Sequence, residues 1–311
     1  MAEAGQRDDG RFGSHRFITC AVDPSYVNVH LLQRYFTASP DGTEQLRHAS
    51  PGGAGRNRTL GVDKLAELLV PLPPTEAQNT IVSRLDVLAA KAREVSDHLD
   101  VVEGEAAALL RAHVFRLPYE SVERRGLSEL VAQRPLDVAV NGRHRYQFAG
   151  VYSFGRGVFA SASKAGSEFA YERLSTVRAG DFVYPQLMAW EGALGVVPPE
   201  CDGMVVSPEL PVFNVKTDLV QPEVLDIYFR TPDVWPVLAA ASGGTNMRCR
   251  RLQPSAFLAH AMPVSPMKTQ LKIRDLQAQV QVLKRRHADI RKANDALIPA
   301  TLENIFQAVG A

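Results

Sequence analysis

Cysteine is scarce: the 311 residues hold three, Cys20, Cys201 and Cys249, odd in number and far apart. That pattern excludes a disulfide framework and a paired-cysteine metal knuckle, and leaves reduced, structural thiols as the expectation. No apolar stretch approaches the roughly 20 uninterrupted residues that cross a bilayer, and the opening residues lack a signal-peptide apolar core, so a cytoplasmic location is expected. Charge of one sign is lacking too. The 35 Lys and Arg against 34 Asp and Glu give +1 at neutral pH, which argues against a globally basic nucleic-acid coat protein but leaves room for a local basic surface.

Catalytic signatures are also missing. There is no G-x-x-x-x-G-K-[ST] loop for a nucleotide, no paired histidine spacing for zinc, and no Asn or Asp followed by Pro-Pro-aromatic as in amino-methyltransferases. GRGVFA at residues 155–160 matches G-x-G-x-x-A, yet nothing after it reads as a crossover helix, so a turn between strands is expected. Glu209 with Asn214-Val215-Lys216 loosely resembles the acid-x-Lys end of a nuclease motif whose second acid is absent. No catalytic residue, metal ligand or bound cofactor is therefore assigned to this chain.

What is present is a repeat. At 45% hydrophobic content the chain can build one large core or two ordinary ones. Residues 48–78 line up without a gap against residues 240–270. Both copies run through Ser and Gly-Gly (Ser50, Gly52, Gly53; Ser242, Gly243, Gly244), then basic residues, then Leu60 or Leu252. Pro71 and Pro74 match Pro263 and Pro266, and Gln78 matches Gln270, at one constant offset. Upstream, VDPSYVNVHLLQ from Val22 resembles VQPEVLDIYFRT from Val220, each read as a proline-started short helix.

Each copy ends in a long helical segment, expected over residues 75–117 and 266–308. Thr75 with Gln78 three residues on gives a capping-box pattern, and Ser265 followed by Pro266 places a cap before a first-turn proline. In the first helix Ile81, Leu85, Leu88, Ala92, Val95, Leu99 and Val102 alternate spacings of four and three. The second repeats this with Ile273, Leu276, Val280, Leu283, His287, Ile290, Asn294 and Leu297. Such a seam predicts an antiparallel coiled-coil pair, with His287 and Asn294 tuning register; at 1.5 Å per residue, helices of about 40 residues span on the order of 60 Å. An ordinary helix bundle is the other reading of the same spacing.

Between the helices, residues 118–265 hold short apolar alternations broken by Gly and Pro: YQFAGVYSF, GVFASAS, GDFVYPQLMAW, GALGVVP and GMVVSPELPVFNV. These predict a mainly antiparallel twisted sheet or partial barrel, with a helix over 225–238 interrupted at Pro232 and Pro236. The fold class is thus α+β. Residues 1–21 read as a disordered leader, and 22–74 as the C-terminal part of a first copy of the β-rich domain.

The candidate binding residues are basic and polar. Ser242, Gly243, Gly244, Thr245, Asn246, Arg248, Arg250 and Arg251 form a loop whose glycines permit close backbone approach. Its arginines can reach phosphates or guanine edges; a solvated loop with arginines lying over the domain is the plainer reading. Arg56, Asn57 and Arg58 occupy the same slot in the first copy. Arg143, Arg145, Arg156 and Lys164 extend the basic face, and Gln186 and Trp190 are candidates for base or sugar contact, though Trp190 also suits a half-buried packing role.

PLPPTEAQNTIVSRLDVL after the Gly-Gly and Arg-Asn-Arg segment resembles the junction between a target recognition domain and a conserved helix in type I restriction-modification specificity subunits. MPVSPMKTQLKIRDLQ resembles the second such junction, and RAGDFVYPQLMAWEGALGVVP with VVSPELPVF resembles the core of a recognition domain. The resemblance implies a non-catalytic subunit that reads half of a bipartite site in double-stranded DNA. It implies docking of methyltransferase (M) subunits on the helices and of a restriction (R) subunit. S-adenosylmethionine, ATP and Mg belong to those partners. Because the sequence opens inside a first recognition domain, a second copy or a separate fragment is expected to supply the other half-site reader. A protein-interaction remnant without specific DNA binding is the alternative, and a degenerate nuclease a poorer third.

Overall fold

A computed structural model of the chain describes residues 4–14, 17–50, 60–115, 122–244 and 250–310. They form two compact units, Met1–Val102 with Lys284–Ala311, and Glu103–Leu283. The units do not follow the sequence segments, because each contains part of both long helices.

The first unit is helical, with α1 (Val29–Ala38), α2 (Pro40–Ala49), α3 (Val62–Ala66) and the start of α4 (Thr75–Phe115). Asn28 caps α1, its side chain accepting from the amides of His30 at 2.9 Å and Leu31 at 3.3 Å, which satisfies donors that have no intrahelical partner. Ser39 then ends α1 and caps α2, and Pro40 supplies the preset φ of a first helical turn. Gly42 is required where α2 crosses α1: a Cβ there would lie 2.3 Å from the Tyr35 carbonyl oxygen. Leu31, Tyr35 and Phe36 fall on one face of α1 and bury against Val82 and Leu85 of α4 and against Leu302 and Phe306. Before α1, residues 6–8 make a short 3-10 turn within the segment expected to be a disordered leader, and Cys20 is exposed rather than buried.

The second unit carries the β-structure. Its elements are β1 (Glu123–Gly126), α5 (Leu127–Leu130), β2 (Val131–Gln133), β3 (Val138–Ala139), β4 (Arg145–Tyr152), β5 (Gly157–Ala165), β6 (Arg173–Thr176), β7 (Phe182–Val183), β8 (Gly195–Val196), β9 (Val205–Val206) and β10 (Val212–Val215). After these come α6 (Pro222–Phe229), α7 (Trp235–Ala241), α8 (Pro254–Leu258), β11 (Ala261–Val264) and α9 (Met267–Gly310). Three sheets form in place of the single sheet or partial barrel expected: β2-β10-β7-β8, β3-β6-β9-β4-β5 and the ribbon β1-β11. Pairing is antiparallel except for the one parallel match of Phe148 with Val205. Phe182, Tyr184, Phe213, Phe229 and Phe257 join the sheet β2-β10-β7-β8 to α6 and α8 in one aromatic core. Cys201 lies in a second core with Val177, Val197 and Val206, where burial pushes its thiol pKa up. The helix expected over 225–238 is α6 followed by a 3-10 turn at Pro232–Val234 and then α7.

The repeat is structural as well as textual. α3 and α8 match at the offset that relates Gln78 to Gln270, and α4 and α9 begin at matched residues. Upstream, the register of the sequence alignment changes. Asn28 and Gln221 are the equivalent caps, so Tyr35-Phe36 corresponds to Tyr228-Phe229, and Pro24 does not match Pro222.

Both long helices start one residue after a proline. The Pro74 carbonyl accepts from the Gln78 amide at 3.1 Å and the Pro266 carbonyl from the Gln270 amide at 3.2 Å. Thr75 is thus inside the helix rather than its cap; its hydroxyl donates to the Ser25 carbonyl at 3.2 Å.

Within the first unit α4 and α9 run antiparallel. Val82 and Leu85 share a core with Leu302 and Phe306. Asn294 donates to the Ala92 carbonyl at 3.4 Å, and Arg291 pairs with Asp100 at 2.5 Å. In the second unit Leu110 and Val114 share a core with Ile273 and Val280. Leu85, Ile273 and Val280 are buried seam residues and Ile81, Leu88, Leu99 and Leu283 half-buried ones. Val95, Ile290 and Leu297 are corrections: they are 40%, 41% and 37% exposed, and Ser96, Arg291 and Ile298 turn inward instead. The cause is periodicity, since an α-helix of 3.6 residues per turn drifts about 20° per heptad from a strict 3.5 repeat.

Candidate nucleic-acid interface

Three segments of the second unit are tied together by backbone hydrogen bonds. The arginine-bearing loop closes at its base by a two-way bridge: Gly243 N donates to Arg251 O at 3.1 Å, and Arg251 N to Gly243 O at 2.8 Å. Ser242 leaves α7 with its hydroxyl donating to the Leu238 carbonyl at 2.7 Å, and Gly244 has a positive φ of 146°. Next along the chain, Leu252 N donates to Gln186 O at 2.9 Å, and Gln186 N donates to Glu209 O at 3.0 Å. Residues 186–192 in turn meet the β4–β5 turn, where Phe154 N donates to Glu191 O at 2.8 Å and Gly155 N to Gly192 O at 3.0 Å.

This arrangement brings Ser242, Gly243, Gly244, Arg251, Gln186 and Arg156 onto linked loops. Arg250 is half-buried beside Arg251. Thr245, Asn246 and Arg248, and in the first copy Arg56, Asn57 and Arg58, lie outside the described residues. Gln186 is held through its backbone and is half-buried. Trp190 is half-buried and its indole Nε1 is buried without a hydrogen-bond partner among the described residues, which fits the packing reading.

The remaining candidates sit elsewhere. Arg145 and Lys164 flank the far end of the β4–β5 hairpin, and Arg143 lies in the turn before it. The nine residues of β5 separate that end from Arg156 by roughly 25 Å, at about 3.3 Å per residue. Arg145 donates to the Ser163 carbonyl at 2.9 Å and lies 3.8 Å from Glu168. The predicted basic face is therefore two patches on one hairpin, not one. The GRGVFA string is the β4–β5 turn running into β5, with Gly155 and Gly157 at φ of 65° and 86°.

Sequence reading missed three features. Glu209 pairs with Arg251 at 2.6 Å, so its role is to hold a guanidinium. Arg230 lies 3.1 Å from Asp226 and its guanidinium occupies the space above Gly157. Arg156 lies 4.6 Å above the ring of Tyr152, which stacks on Phe159 with centroids 3.8 Å apart. The contacts of Glu209 with Arg251 and of Arg230 with Gly157 join residues far apart in sequence, which no spacing rule marks. The Asp226–Arg230 and Tyr152–Arg156 pairs are four residues apart, a spacing that carries no signal without the helix or turn that holds it. Among the described residues no three His, Cys, Asp or Glu side chains converge as a metal site, and no helix is long and apolar enough to cross a membrane.

No family model matches the chain, and neither does any curated protein. Solved structures do match. A chain of a type I R-M system, from work on its complex assembly and conformational transition, is 18% identical with a TM-score of 0.57, covering 91% of this chain and 72% of that one. The HsdS subunit from Thermoanaerobacter tengcongensis is 20% identical over 90% of this chain and 70% of its own, with a TM-score of 0.46. The type I restriction-modification S subunit from M. genitalium is 11% identical over 89% and 73%, with a TM-score of 0.43. The α+β fold, with its pair of long helices, is that of the type I chain.

Proposed function

We propose that this chain is the non-catalytic specificity subunit of a type I restriction-modification complex in the cytoplasm, reading one half-site of double-stranded DNA through its second unit. The observation that carries the reading is the linked set of loops bearing Arg156, Gln186, Arg250 and Arg251 on a β-rich unit between two long helices. Guanidinium groups on such loops can take phosphates or guanine edges, and an amide can take adenine. The shared fold supports the same reading. The helices also leave apolar side chains uncovered, Val87 and Val101 in the first unit, Leu109 and Val282 in the second. These suit docking of M subunits, which would bring S-adenosylmethionine chemistry, with an R subunit bringing ATP and Mg.

The rival reading is a protein-interaction remnant. The Glu209 carboxylate favours it, because a guanidinium already paired gains less from a phosphate. Selection of duplexes from a random pool, by the full chain co-expressed with type I M subunits, separates the two. Enrichment of a short half-site or a bipartite motif supports specificity. Stable M-subunit binding with no enrichment establishes the remnant. In the enriched case Arg251→Ala is expected to cost about 1–3 kcal/mol at one base position if Arg251 reads a base. If it holds a phosphate, it weakens all sequences alike and lowers the salt slope by about one. Unchanged binding would remove Arg251 from the interface.

A further inference from the structure

The β4–β5 turn presents an aromatic side chain on strained backbone. Phe154 has φ of 64° and is the single non-glycine residue with positive φ among those described. In that region the Cβ of an L-residue crowds the following carbonyl. The residue is 65% exposed, so burial does not offset the strain. Its nearest aromatic neighbour, Trp235, is tilted with centroids 6.5 Å apart.

The strain is imposed from two sides. The amides of Phe154 and Gly155 are held by Glu191 and Gly192. Gly192 is itself at φ of 76°, with the Trp235 indole so close that a Cβ would fall 2.3 Å from it. On the other side the Arg230 guanidinium fills the place of a Gly157 side chain. A turn clamped in this way holds Phe154 outward, and strain that persists at an exposed residue points to use.

The chemistry around the ring is cationic and aromatic. Arg156 lies over Tyr152, and Arg230 lies beside Gly157. The segment that clamps Phe154 continues to Gln186, which bonds the base of the Arg251 loop. Arg230 is already paired with Asp226, so Arg156 is the guanidinium left to a ligand, and an outward aromatic beside it matches a ligand offering flat π-faces beside phosphates. Nucleic acid offers both at once, whereas a protein partner would need an acidic and an apolar group in the same spacing. We infer that Phe154 is a specificity-determining residue of the DNA face, its ring packing on a base or base step while Arg156 takes the adjoining phosphate. The inference rests on the specificity-subunit reading.

The test uses the full chain with co-expressed M subunits, as wild type, Phe154→Gly, Phe154→Asn and Arg156→Ala. Gly and Asn both tolerate positive φ, so these variants remove the ring without adding strain, and their thermal midpoints are expected to hold or rise. Both are expected to bind the wild-type duplex roughly tenfold more weakly, the scale of one lost base–aromatic contact. Selectivity should be lost at one or two adjacent positions with the salt slope unchanged. Arg156→Ala should instead weaken all sequences and lower that slope by about one. Folded variants that select the wild-type motif with affinity within about twofold would overturn the inference and leave the specificity reading standing. Wild type that selects no motif overturns both. Loss of M-subunit retention with DNA selection intact assigns the turn to a protein contact and overturns the inference alone.

Discussion

Tyr228 and His260 are joined by a 2.9 Å contact between the phenol oxygen and Nε2. The neutral imidazole is the form that accepts the phenol proton. Burial, and then the charge of Arg124, hold the His260 pKa below its usual 6.5; burial pushes Tyr228 up, against the opposing effect of Arg124. The unfolded chain therefore binds a proton before the folded chain does. Stability from this pair is fully present above about pH 6.5 and falls as pH drops from there toward the folded pKa. Denaturant titrations of the chain between pH 8 and pH 5 should show this loss, and His260→Gln should flatten it. An equal slope in both proteins would remove His260 as its source. At the matched position of the first copy Tyr35 donates to Asp41 instead, so the repeat keeps the phenol and exchanges its acceptor.

At the scale of elements, one glutamine in each copy fastens a long helix to the module before it. Gln270 accepts from the Gln221 amide at 2.8 Å and donates to the carbonyls of Leu219 at 3.1 Å and Ser265 at 2.8 Å. Gln78 repeats the set with Asn28 at 2.7 Å, Tyr26 at 2.9 Å and Pro73 at 2.8 Å. Both side chains are buried, so no water replaces a lost partner. Gln270→Leu strands one amide and two carbonyls and should cost about 2–4 kcal/mol in urea unfolding; a cost within about 0.5 kcal/mol would refute the tether. The pairing of Gln78 with Gln270 was legible as a constant offset, but the tether was not. A backbone amide fifty residues away leaves no trace in local spacing, and the Thr-x-x-Gln pattern read equally well as a capping box. The seam shows the same limit: apolar spacing located Leu85, Ile273 and Val280, whereas Val95, Ile290 and Leu297 failed because phase accumulates along a long helix. The arginine loop was named from composition, and of it the structure describes only the base, Ser242 to Gly244 with Arg250 and Arg251. The Phe154 turn was not, because exposure and positive φ are properties of the folded backbone.

For the whole molecule, the repeat sets the same local structure on unequal cores. The α1–α3 copy rests on a small cluster of Leu31, Tyr35, Phe36, Val82, Leu85, Leu302 and Phe306. The α6–α8 copy shares its core with three sheet strands, β2, β7 and β10, and with the aromatic stack of Phe182, Tyr184, Phe213 and Phe257. Hydrophobic stabilisation follows apolar area removed from water, at about 25 cal/mol per Å², so equivalent helices should open at different free energies. Local opening, rather than helix propensity, governs amide exchange in such segments. Native-state hydrogen exchange should therefore find the amides of Tyr228 and Phe229 protected roughly tenfold or more beyond those of Tyr35 and Phe36, although the helical position of each pair is matched. Equal protection would mean that both copies open only with the entire chain, and the division into two units would then be geometric without being energetic. Unequal protection would make the α6–α8 copy, and the sheet core it shares, the firmer of the two.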